Sequence, residues 1–211
     1  MSYSIVELLF ILTLKETRMN LFKRGVMMLA TKQLKEEHAA VKFMLKVLDN
    51  ICARISKGEE VDPNHLTRIT EFLIVFVDKC HHAKEEEILF PQLEKMGVIN
   101  KGGPIGTLLE EHNIGRNYIK GLREAVERYS AKDYSATEDL LKNTQGYKNL
   151  LTQHIEEEDT NIFVLADQLI NEEMQEKLAE EFEKIEVERI GTGKHEEFHE
   201  LLHELEHTYL S

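Results

Sequence analysis

The sequence predicts an all-α fold, an up-down-up-down four-helix bundle followed by a C-terminal helical extension. Three observations carry the prediction. Apolar residues recur every three or four positions through four long stretches between Leu34 and Leu165. Helix breakers are scarce, with 3 Pro and 11 Gly in 211 residues, and two of the prolines stand where a stretch begins. The chain also repeats itself. Glu36-Glu37-His38 returns 74 residues later as Glu110-Glu111-His112, and the block from His81 to Phe90 returns 73 residues later from His154 to Phe163. Both copies of that block read His-x3-Glu-acid-x2-aliphatic-Phe, so two copies of a helix pair make four helices.

Each helix can be justified in turn. Leu34, His38, Val41, Leu45, Leu48, Cys52 and Ile55 form the seam of the first, which Lys57-Gly58 ends. Asp62-Pro63 starts the second with a capping residue followed by proline at the first helical position. Its seam runs through Leu66, Ile69, Leu73, Val77, His81, Glu85 and Ile88; Pro91 can kink or end it, and Gly97 is the latest stop. After the loop Asn100 to Pro104, the third helix shows Ile105, Leu108, His112, Gly115, Ile119, Leu122, Val126 and Tyr129. A polar break from Ser130 to Ser135 leads to the fourth, with Leu140, Thr144, Tyr147, Leu151, His154, Glu158, Ile162 and Leu165. Asn171 caps a fifth helix to about Glu188, and Gly191-Thr192-Gly193 separates it from a last one, Lys194 to Leu210.

The domain division is therefore 1-30 as an N-terminal extension, 31-170 as the bundle and 171-211 as the C-terminal helical extension. Ile5 to Leu14 is apolar but too short to span a bilayer and has no basic residue before it, so no membrane anchor is expected. The expectation is that translation starts at Met27 or Met28; the rival reading is a short amphipathic helix packed on the body or on a partner chain. With 39 acidic against 26 basic residues the formal charge is -13, which argues against a phosphate-binding surface and hence against nucleic acid. Cys52 and Cys80 are isolated, so neither a thiolate metal site nor a disulfide framework is indicated, and a reducing cytoplasmic setting is expected.

Four short-connected helices alternate in direction, so the height of a residue follows from its distance to the turn. His38 and His81 each lie about 18 residues, roughly 27 Å, from their shared turn, and His112 and His154 behave alike. Four histidines thus reach one interior layer. His154 and Glu158 differ by only about 40° around the helix axis and share a face, as do His81 and Glu85. His82 with Glu86, and Asp159, point about 100° further round, so the His81 register is preferred and Asp159 is the weaker ligand candidate. One buried histidine is more often a hydrogen-bonded core residue than a ligand. Two carboxylates in a dry core, however, cost several kcal/mol each unless protonated, paired or neutralised by a cation. With Lys84 and Arg116 the only evident basic residues nearby, metal is the simplest neutraliser, and His38, His81, Glu85, His112, His154 and Glu158 are the candidate ligands.

These blocks resemble hemerythrin and the wider hemerythrin HHE cation-binding domains over about residues 31 to 170. The resemblance implies a hemerythrin-like bundle around two iron ions, with Glu85 and Glu158 as bridging carboxylates. By the same resemblance His38 and His81 would bind one iron, and His112 and His154 the other. Oxygen-carrying hemerythrins have a further histidine one turn after the third-helix ligand, where this chain has Arg116. Both irons would then keep an exchangeable position unless His82, Glu37 or Glu111 fills one. That moves the expectation from reversible oxygen carriage towards sensing, binding or turnover of dioxygen, nitric oxide or peroxide. The alternative is non-catalytic iron holding, delivery or repair. Imidazole and carboxylate donors suit iron, manganese or zinc.

His195, His199, His203 and His207 add three overlapping H-E-x-x-H copies in the last helix. A zinc-protease reading is disfavoured, since no third ligand follows within the sequence and Phe198, Leu202, Leu205 and Tyr209 form the apolar stripe, leaving the histidines on its flank.

Overall fold

The computed structural model describes residues 29–191 and 193–210, whose regular secondary structure is helical throughout. The apolar segment Ile5 to Leu14 and the candidate start at Met27 or Met28 lie outside the described residues. Helix α1 is Ala30–Ser56. Its first N–H groups have no capping side chain of their own; the Ala30 N–H instead donates to Gln175 Oε1 at 3.1 Å, a partner supplied by the C-terminal extension. Helix α2 (63–95) starts as predicted, with Asp62 accepting from the Asn64 N–H at 2.8 Å and Pro63 at the first position. It then widens: Pro63–Phe72 is α-helical, Leu73–His82 and Glu85–Leu89 are π-helical, and Phe90–Lys95 is α-helical again. Pro91 therefore does not end the helix. The wide turn just before it adapts the ladder to the proline's missing N–H, and the chain leaves the helix at Gly97, whose φ of +94° few other residues adopt.

Helix α3 is Pro104–Ser130, and a short 3-10 turn, Tyr134–Ala136, leads into α4 (137–169). That helix is α-helical over Thr137–Glu157, π-helical over Glu158–Ile162 and α-helical over Phe163–Leu169. Asn171 caps α5 by accepting from the Met174 N–H at 2.9 Å; α5 comprises Glu172–Ile185 and a π turn, Glu186–Ile190. The last helix, α6, is Lys194–Tyr209.

Helices α1 to α4 form the bundle, and α5 and α6 both pack on its α1/α2 side. The apolar interior comes in two parts. One gathers Val41, Leu48, Ile69, Val77, Leu122 and Leu151 with Leu205 of α6; the other gathers Leu34, Leu89, Leu108, Ile162 and Phe163 with Phe182 of α5. In every bundle helix the predicted histidines and glutamates fall at or beside the junction of the two parts. A polar layer thus divides the core. The stripe of α6 is Phe198, Leu201, Leu202, Leu205 and Tyr209, one residue wider than the sequence reading. No helix among the described residues is long and apolar enough to cross a membrane.

Candidate metal centre

The polar layer contains His38, His81, His82, Glu85, His112, His154 and Glu158, all at 2% exposure or less. All six residues selected from spacing come together, and His82 joins them. Their donor atoms form two overlapping groups, each within 4.8 Å: His38, His81, Glu85 and Glu158 in one, His82, Glu85, His112 and His154 in the other. Both carboxylates lie between the groups. Glu85 Oε1 is 3.4 Å from His81 Nε2, and its Oε2 is 3.5 Å from His112 Nε2. Glu158 Oε2 is 3.2 Å from both His38 Nε2 and His154 Nε2.

His112 Nε2 and His154 Nε2 stand 3.1 Å apart, within hydrogen-bond distance, but most of the other donors are close without being bonded. Both oxygens of Glu85, both of Glu158, and His38 Nε2 are buried and have no hydrogen-bond partner. Native proteins rarely leave buried polar atoms in that condition, and five in one layer, with lone pairs converging, is the arrangement a cation satisfies. The protonation pattern agrees. Burial pushes the Glu85 carboxyl well above its usual range, assisted by its neighbour Glu158. Burial resists ionisation of Glu158 too, yet His154 and His38 hold it well below the carboxylate range. Burial drives His81, His82 and His112 down to about 4, whereas on His154 the charges of Glu158 and Glu111 outweigh burial and raise it to about 9. The metal-free layer is thus short of positive charge and shares protons to compensate.

Behind the histidines stands a second row of acids that the spacing argument did not assign. Nδ1 of His38 meets Asp159 at 2.8 Å, that of His81 meets Glu37 at 2.9 Å, that of His112 meets Glu86 at 2.7 Å, and that of His154 meets Glu111 at 2.8 Å. His82 Nδ1 lies 3.5 Å from Asp78. The four close carboxylates accept from Nδ1 and turn Nε2 to the centre, the arrangement that orients ligating histidines and raises their basicity, whereas His82 Nδ1 has no hydrogen-bond partner among the described residues. Glu37 and Glu111 are therefore placed as orienting groups behind a histidine. Asp159, rotated away from the centre as its register predicted, has the same task at His38.

Arg116 does not reach Glu111. Its Nε and Nη2 donate to Asp78 and Glu86, each at 2.7 Å. Lys42, one turn beyond His38 as Arg116 is beyond His112, likewise donates to Asp159 at 2.7 Å. Each cation pins an acid that holds a histidine. The unexpected member of the layer is His82. The π turn Leu73–His82 uses i→i+5 bonding, so a register counted at 100° per residue fails across it and His82 turns inward, stacking on His112 with ring centroids 3.9 Å apart. The α6 histidines stay apart from this layer: among the described residues neither group includes them, although His199 and His203 stand ring to ring at 4.4 Å.

Comparison with known proteins gives the same picture from another direction. A family model described as the hemerythrin HHE cation binding domain matches residues 29–166. Uncharacterized proteins of Mycobacterium bovis and Mycobacterium tuberculosis are 24% identical over 162 residues, which is 77% of this chain and 63% of each relative. The chain thus spans less than two thirds of the length of these curated relatives. No solved structure matches it.

Proposed function

Because the chain belongs to the hemerythrin HHE cation-binding family, we propose that its buried layer holds two iron ions bridged by Glu85 and Glu158 and serves to sense, bind or turn over a small ligand. The family binding of metal is the premise; the ion count, the ligand set and the role are the proposal. The single observation that carries it is the pair of glutamates, each between two histidine groups with its oxygens buried and unpartnered. Imidazole with carboxylate suits iron, and neither cysteine belongs to the groups. If bound there, a pair of ferrous ions would supply two electrons for reduction of dioxygen or peroxide and a coordination site for nitric oxide.

The residues of the chain do the rest. Five histidines divide unequally, with His82, His112 and His154 at one position and His38 and His81 at the other. The second position is accordingly the one left with room for a small ligand. The two apolar cores above and below exclude bulk water, and the outer acids engage Nδ1 of His38, His81, His112 and His154, leaving Nε2 of each turned to the centre. Free thiols at Cys52 and Cys80, together with the charge of -13, fit a reducing cytoplasmic setting and make nucleic acid an unsuitable partner.

One observation favours a second reading, iron holding or delivery. Asp159, Glu86 and Glu111 are 21%, 26% and 28% exposed, so a row of acids joins the surface to the ligand histidines. Metal analysis of protein purified without added metal, followed by mixing its diferrous form with air or peroxide, tests both. Two irons with near-ultraviolet charge-transfer bands and rapid oxidation are expected. One metal per chain, or zinc alone after growth in ample iron, overturns the two-iron reading, and slow oxidation with quick loss to a chelator selects delivery.

A further inference from the structure

The family match ends at residue 166, yet one acid beyond it reaches towards the metal layer. Glu186 opens the π turn of α5 and is 7% exposed. Its Oε1 accepts from Lys84 Nζ at 2.6 Å and from Gln33 Nε2 at 2.7 Å. Lys84, at 1% exposure, also donates to Glu37 Oε1 at 2.5 Å, and Gln33 donates to the same oxygen at 3.1 Å. The other oxygen of Glu37 holds His81 Nδ1 at 2.9 Å. The Phe182 ring of α5 covers the ammonium, its centroid 5.9 Å from Nζ.

From this chain of contacts we infer that Glu186, and through it helix α5, is a positioning element of the metal centre. The inference rests on the metal reading above and concerns a residue outside the matched domain. A buried ammonium with a single carboxylate partner would draw Glu37 towards itself; with Glu186 on its other side it is balanced between two acids, and Glu37 keeps an oxygen for His81. Gln33 ties the same two acids together and limits their separation. The other four outer acids, Asp159, Glu86, Asp78 and Glu111, are all partly exposed, and Lys42 or Arg116 pairs with the first three, whereas Glu37 orients His81 from within a buried network that the extension completes. The isosteric change Glu186→Gln removes the charge while keeping the shape.

The test uses the full chain and Fe(II) as the probe. Glu186→Gln is expected to release iron to a ferrous chelator about ten-fold faster, the lower end of what loss of an outer-layer partner costs. Lys84→Met should do the same or more, and the double variant should be no faster than Lys84→Met alone, because both act along one path. Glu188→Gln, exposed on the same turn, should match the native protein. In the metal-free protein the ring nitrogen resonances of His81 should show loss of the single Nδ1–H tautomer in Glu186→Gln. Native iron release together with an unchanged His81 ring overturns the inference, as do multiplicative losses in the double variant. If the native chain holds no iron, the metal reading falls while the His81 resonances still decide this one.

Discussion

Replacing His82 with alanine separates a ligand from a core histidine. The ring is 2% exposed and stacked on His112, so in the metal-free protein its removal leaves a cavity costing about 3 kcal/mol at pH 7, the low end for truncating an aromatic ring. A second effect runs the other way. Burial lowers the His82 ring from 6.5 to about 4, so it stays neutral when folded and charges when unfolded. A lowered histidine contributes stability that is intact above 6.5 and is lost as the pH falls towards the folded value; at pH 5 the loss is about 2 kcal/mol. Alanine escapes that loss. The gap between variant and native protein should therefore shrink from about 3 kcal/mol at pH 7 to about 1 kcal/mol at pH 5, read from urea unfolding of metal-free protein. On the two-iron proposal, the group of His82, His112 and His154 then loses one of its three imidazoles. One of two irons should leave at least ten-fold faster, with azide binding tightened at the ion left open. Iron release and azide binding like those of the native protein, with the pH effect present, would show His82 to be a core residue facing Asp78. A gap that does not change with pH would refute the buried neutral ring itself.

Glu158→Ala should empty or scramble the centre, since it faces both His38 and His154, while the exposed Glu157→Ala should be silent by metal analysis; equal damage refutes the register. Arg116→His should not slow autoxidation, because His82 already stands beside His112; slower autoxidation in air would mean that His82 does not fill that position. Between pH 6.5 and 9 the metal-free protein should lose about 3 kcal/mol, because His154 is raised to about 9 and its contribution, complete below 6.5, disappears as it deprotonates. Iron loading should abolish that alkaline loss in thermal melts, and its persistence would place His154 off the metal. Changing His199 and His203 to Gln should preserve the iron spectrum, whose loss would bring α6 to the centre.

What could be read in the sequence was what α-helical spacing controls. Steps of three and four placed Leu34 to Ile55 and Ile105 to Tyr129 on helices, and the repeat put His38, His81, His112 and His154 at one height. Asp62 and Asn171 announced their helix starts, and both cap them. Spacing fails where the backbone leaves the α ladder. His82 closes a π stretch, and with a widened turn before Pro91 the helix runs past the proline to Lys95, within the limit set by Gly97. The outer acids were visible but ambiguous, because a carboxylate one residue from a ligand can face the ion or the back of a neighbouring histidine, and only the packing of a second helix decides. Glu186 lies about a hundred residues from Lys84 with no repeat to flag it, so its role was not legible at all.

The repeat itself has a consequence for symmetry. Helix for helix, Lys42 corresponds to Arg116, Glu37 to Glu111 and Glu86 to Asp159, and each member does the same task as its counterpart. His82 corresponds to Ile155, and that equivalence is broken. Two copies of one hairpin assembled about a twofold axis would be obliged to place the same group at both positions. Joining the hairpins in a single chain removes the obligation, so one half can offer an imidazole where the other offers a hydrocarbon. The two donor groups are thereby free to differ in composition and in access.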